Sequence, residues 1–94
     1  MSGSDLDADL GAAAHEEIER ACDLGWLRLA QVTPWGDTYE GYTPAGRDVC
    51  FERNYLWAGD PGYDIRVEVV VYEPRDYEHG ARLTRVLGRE AAEG

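Results

Sequence analysis

From Asp5 to Leu24 the apolar positions Leu6, Leu10, Ala14, Ile18, Ala21 and Leu24 recur at three- and four-residue intervals. That spacing lays one apolar stripe along a helix and predicts an amphipathic α-helix over residues 5–24. Ser4, with Asp7 three residues on, suits an N-terminal cap; the early aspartates suit the positive end of the helix dipole, and Gly25 suits a left-handed stop. Gly11 and the neighbouring alanines weaken the first turns, so an ordered start nearer Asp9 is the alternative. Residues 1–4 read as a disordered tail.

After Gly25 the period moves from 3.6 toward two. Trp26–Val32 reads as a first strand, closed by a turn at Thr33-Pro34-Trp35-Gly36. Asp37–Tyr42 is a short second strand, and Thr43-Pro44-Ala45-Gly46 is a tight turn. Asp48–Trp57 then alternates Val49, Phe51, Tyr55 and Trp57 against Cys50, Glu52 and Asn54. A reversal at Ala58-Gly59-Asp60-Pro61-Gly62 leads into Asp64–Glu73, the clearest alternation in the chain, with Ile65, Val67, Val69 and Val71 inward and Arg66 and Glu68 outward. Connections this short give an antiparallel meander of three to four strands. Pro74 ends that strand, and Asp76 suits the cap of a short closing helix carrying Leu83, Val86 and Leu87; a last strand over 81–87 is the competing reading. The whole predicts a single α+β domain over residues 1–94, helices packed on one face of a small sheet, with a frayed end at 91–94.

Length and composition fit that plan. The 94 residues are 44% hydrophobic and 30% charged, the profile of one folded domain whose core hides roughly 60–65% of the unfolded surface. Nineteen acids against nine basic residues give a net charge of −10. That balance argues against direct nucleic-acid binding, and no apolar run is long enough to span a bilayer. All nine basic residues are arginine, which removes Schiff-base chemistry and a P-loop lysine. The only serines, Ser2 and Ser4, lie in the leading tail, so a serine hydrolase is not expected. Cys22 and Cys50 are far apart and form no CxxC pair, which argues against a zinc ribbon or a disulfide scaffold. With no secretory signal pattern at the start, a cytoplasmic home is expected.

Several patterns bear on chemistry. Asp5, Asp7, Asp9 and Glu16 fall at positions 1, 3, 5 and 12 of a calcium-binding EF-hand loop, but the glycine, Gly11, is one place late, Ala13 offers no ligand and no helix precedes. An acidic helix start is the simpler reading, and no metal or cofactor is expected. His15 lacks a second histidine at the zinc-protease spacing. Cys22 or Cys50 paired in space with His15 or His79 would make a nucleophile, yet neither cysteine sits where its thiolate is favoured. Arg82, Arg85 and Arg89 would form a basic stripe on a closing helix, read first as complementing the acidic N-terminal helix.

The acids are distributed unevenly. Residues 1–24 carry seven against one arginine, and the remaining seventy carry twelve against eight. Glu40, Glu52 and Glu68 fall at the outward phase of three neighbouring strands, where a matching register would line them up. All ten aromatics lie between Trp26 and Tyr77, several of them beside turns and acids, as in protein-binding hot spots.

The short acidic chain, the helix-plus-meander plan and segments such as Trp35-Gly-Asp-Thr-Tyr-Glu-Gly-Tyr42 resemble the small acidic inhibitors that phages make against bacterial defence, of the anti-CRISPR and DNA-mimic type. The resemblance is one of class and carries no diagnostic motif or site residue. It implies a stoichiometric binder of a basic nucleic-acid surface in a CRISPR-Cas or nuclease subunit of a bacterial host. The residues themselves lead to a non-enzymatic, acidic protein-binding module, with Asp37, Glu40, Glu52, Asp64 and Glu68 for charge and Trp35, Tyr39 and Tyr42 as anchors. Two alternatives stay open: a homodimeric accessory or antitoxin-like protein, and a small enzyme or ligand-binding domain with His79, Arg53 or Cys50 at an aromatic cleft. The chain is expected as a monomer or a homodimer.

Overall fold

The computed structural model describes residues 2–89. Two helices, α1 (Ser2–Asp23) and α2 (Trp26–Val32), precede four strands, β1 (Trp35–Tyr42), β2 (Asp48–Trp57), β3 (Ile65–Glu73) and β4 (Asp76–Leu87). The strands form one antiparallel meander in the order β1-β2-β3-β4, and α1 packs across β3 and β4. The α+β plan expected from the pattern is the observed one.

The stripe of α1 is Leu10, Ala13, Ala14, Glu17, Ile18 and Ala21, all buried, with Leu6 packed at its margin. Leu24, expected on that stripe, is exposed because the helix ends before it. The helix begins at Ser2, so Ser4 lies within it instead of capping it. Gly25 ends α1 at φ +85°, a conformation costly for any side chain. The frayed end expected at 91–94 lies outside the described residues.

Two predicted elements change type. Trp26–Val32 is a helix: Leu29 is buried with Trp26 and Ala30 partly buried, the i, i+3, i+4 face that a seven-residue run cannot separate from alternation. It is held from outside, since the Trp26 indole N–H donates to the Tyr63 carbonyl at 2.6 Å, and it ends where the Thr33 amide and hydroxyl both donate to the Leu29 carbonyl. The segment after Pro74 is the alternative last strand, not a closing helix. Ala81, Leu83 and Leu87 face the core with Arg85, while Val86 points away and is exposed. The three arginines therefore form no stripe: Arg85 faces α1, Arg82 the opposite side, and Arg89 follows the strand.

The odd-numbered positions of β1, β2 and β3, and of β4 from Ala81 onward, face α1; at the bulge where β4 begins the parity shifts, and Tyr77 meets Tyr72 with ring centres 4.7 Å apart. Ile65, Val67, Val69 and Val71 are completely buried at the centre, joined by Val49, Phe51 and Tyr55. Burying each such aliphatic side chain contributes about 1.5–3 kcal/mol, which fixes the register, because a one-residue slip would turn β3 inside out. The even-numbered positions form a second face that no helix covers.

Candidate interaction surface

On the helix side the stripe of α1 contains one carboxylate. Glu17 stands between Ala14 and Ala21 with its side chain 3% exposed. Its Oε1 accepts the Tyr39 hydroxyl at 2.7 Å and an Arg20 N–H at 2.8 Å, and its Oε2 accepts Arg53 at 3.3 Å. Arg53 in turn clasps Asp37 through two bonds of 2.9 and 2.6 Å, with its guanidinium over the rings of Tyr39 (4.7 Å) and Trp35 (5.2 Å). The clasp holds the Asp37 carboxyl below its ordinary pKa, Asp37 raises that of Arg53, and burial with the nearby Glu17 carboxylate pushes the Tyr39 phenol up. Two carboxylates, two guanidiniums and a neutral phenol satisfy one another, as buried charge requires.

The position of this network explains its work. Because α1 lies over β3 and β4, the β1 side of the sheet has little helix above it, and the Glu17–Arg53–Asp37 chain ties it to α1. Tyr39 stacks on Phe51 at 5.0 Å, and Gly41 makes room for that ring: a Cβ there would sit 2.9 Å from Phe51 Cε2. A second tie joins α1 to the β1–β2 turn, where Asp9 accepts the Thr43 hydroxyl, the Ala45 amide at 3.3 Å and Arg47 Nε at 3.2 Å. The Thr43 bond leads in holding the Asp9 carboxyl below its usual range. The open cleft beside Glu17, lined by Glu16, Arg20, Tyr39, Gly41 and Phe51, measures 180 Å³, small for a ligand pocket.

The uncovered face is organised differently. Glu40 lies opposite Cys50, Glu52 between Thr38 and Val70, and Glu68 between Asn54 and Thr84. The three glutamates expected in line are thus staggered into a diagonal, one step per strand, at the spacing of about 7–8 Å typical of such neighbours. Glu68 has Arg66 Nε 3.2 Å from its carboxylate, an ion pair without hydrogen-bond alignment, since that buried Nε has no acceptor. Glu40, Asp48 and Glu52 have no ion-pair partner among the described residues. Tyr42, opposite Asp48, is 71% exposed, and a groove of 410 Å³ runs beside it, lined by Glu40, Tyr42, Asp48 and Pro74.

The fold therefore divides the residues singled out from the sequence. Glu40, Tyr42, Glu52 and Glu68 share the uncovered face. Trp35, Asp37 and Tyr39 lie on the helix side, engaged in the Glu17 network. Asp64 follows the β2–β3 reversal and accepts the Arg89 amide at 3.4 Å. Arg53 and Cys50 are on opposite faces of the sheet and cannot border one cleft, while His79 bonds Asp76 at 2.6 Å near the start of β4. Cys22 packs against the core, where burial pushes its thiol up, away from a reactive thiolate. Asp5 to Glu16 is continuous helix rather than a calcium loop, and no group of three or more potential metal ligands occurs among the described residues. Glu17 is the site residue that the sequence pattern did not single out, although a carboxylate in phase with the apolar stripe marks it.

The chain matches no family model, no curated protein and no solved structure in the comparisons made. Among the described residues no helix is long and apolar enough to cross a membrane.

Proposed function

We propose that this protein is a non-enzymatic binding module that presents its uncovered sheet face to a basic protein surface, with carboxylates standing where the phosphates of a nucleic acid would lie. The observation that carries the reading is the set Glu40, Asp48 and Glu52, on one face, at cross-strand spacing, with no arginine opposite them and the exposed ring of Tyr42 beside them. Uncompensated charge on a rigid sheet steers a cationic partner and adds specificity, and an aromatic at its edge supplies apolar contact. The net charge of −10 extends the attraction over the whole chain. The class resemblance to phage inhibitors points to the same occupant, an Arg-rich nucleic-acid-binding surface of a CRISPR-Cas or nuclease subunit in the cytoplasm of a bacterial host.

The test has two stages. Tagged protein is used to capture partners from a bacterial lysate containing such machinery, and the purified pair is then titrated at graded salt with and without duplex DNA. The reading requires mutual exclusion with DNA, affinity that falls as salt rises, and loss of binding in the Glu40→Arg/Glu52→Arg variant. A partner held equally well by that variant, or alongside DNA, overturns it.

A further inference from the structure

In the described chain, β1 is an edge strand with no neighbour on its outer side. The direction of its backbone groups follows from the hairpin. Thr43 donates its amide to Arg47, so the odd-numbered residues of β1 bond inward to β2 across a register that continues without a break. Alternation then turns the N–H and C=O groups of Gly36, Thr38, Glu40 and Tyr42 outward. The edge has no lysine, no proline and no bulge; its two charges are Asp37, neutralised by Arg53 on the helix side, and Glu40 on the uncovered face.

The sequence of this edge fits a second copy of itself. Antiparallel pairing about a twofold axis at Asp37 or Glu40 would set like charges directly opposite. About Thr38, Thr faces Thr, Trp35 falls opposite Gly41, Asp37 opposite Tyr39 and Glu40 opposite Gly36. No carboxylate meets another, and each of the two glycines receives a large side chain. The other edge of the sheet, β4, is less suited. Since α1 lies over β3 and β4, pairing there would bring two acidic helices side by side, with strands only about 4.8 Å apart, whereas pairing at β1 keeps them at opposite ends of the sheet.

We propose that the protein forms a twofold dimer through β1, joining two sheets into one of eight strands. The uncovered faces of the two copies then form a single surface. The inference stands apart from the proposed function, and salt separates the two: each chain carries −10, so screening strengthens the dimer and weakens any complex with a basic partner.

Sedimentation equilibrium of the full chain at low and high salt tests it. The expected result is a concentration-dependent doubling of mass, favoured by salt. Thr38→Pro removes one outward N–H while sparing the ladder to β2, and should raise the dimer dissociation constant at least about tenfold with the far-ultraviolet circular dichroism retained. Amide exchange on the unmodified protein gives a second measurement: the Gly36, Thr38 and Glu40 amides should become protected as concentration rises. A monomer throughout at both salts, a dimer whose β1 amides stay unprotected, or a dimer indifferent to a folded Thr38→Pro variant overturns the proposal.

Discussion

The two faces of this sheet handle negative charge in opposite ways. On the helix side the carboxylates packed between α1 and the sheet are matched: Glu17 by Arg20 and Arg53, Asp37 by Arg53, Asp9 by Arg47, and Glu19 at the rim by Arg85. On the uncovered face one pair, Arg66 with Glu68, stands beside Glu40, Asp48 and Glu52, which have none among the described residues. The chain owns nine arginines for nineteen acids, so where it places them decides which acids are structural and which remain available. Solvent makes the division tolerable, because an unpaired carboxylate costs little in water and several kcal/mol in a core.

The sharpest way to break this contrast is Glu17→Ala. It leaves Arg53 half-compensated in the packed layer and should cost about 3 kcal/mol in urea unfolding, against about 0.5 kcal/mol or less for Glu40→Ala. Equal effects would erase the distinction between the faces. Gly41→Val should follow at about 1–3 kcal/mol, since its Cβ has only the space now filled by Phe51.

Acid titration sharpens the comparison next. Asp37 and Asp9 have folded pKa values below the ordinary 3.8, so their stabilisation is complete above about pH 4 and is lost as pH falls through the folded values. Asp37→Asn should flatten the acid limb of the stability curve. An unchanged limb would mean that Glu17 and the two rings hold Arg53 without it. Reversing Glu40 and Glu52 to arginine should alter stability by no more than about 0.5 kcal/mol per site while abolishing partner binding, the reverse of the Glu17 result.

The smallest expected effect is at His79. Its hydrogen bond to Asp76 raises the imidazole pKa, so the stabilising contribution is present below the ordinary 6.5 and disappears as pH rises through the folded value. In Asp76→Asn the His79 resonance, followed by NMR, should titrate at lower pH.

Where the sequence was legible, two independent signals agreed. β2 and β3 alternate between turn residues, with breaks at Arg53, Leu56 and Val70, and α1 carries a long stripe ended by Gly25. Trp26–Val32 failed because seven residues admit both periods, and the deciding bond, from the Trp26 indole to the Tyr63 carbonyl, spans 37 positions. The stretch after Pro74 failed as a helix because Asp76 suits a cap and Leu83, Val86 and Leu87 sit at helical spacing, while its partner strand β3 could be seen only in space. Among the site residues, Glu40, Glu52 and Glu68 were placed on one face by parity alone. The same parity puts Trp35, Asp37 and Tyr39 on the other face, where only the tertiary structure brings Arg53 and Glu17, on elements far apart in the chain, against them.

The sequence by itself determined the layer plan, the inward residues of β2 and β3, the excess of acid over arginine and the absence of lysine. These are local or additive properties that no folding partner can alter. Only the tertiary structure decided which acids are neutralised, that the three glutamates run diagonally, and which backbone edge stays open. Each depends on strand register and on where α1 crosses the sheet, and those follow from the packing of the whole core rather than from any one segment.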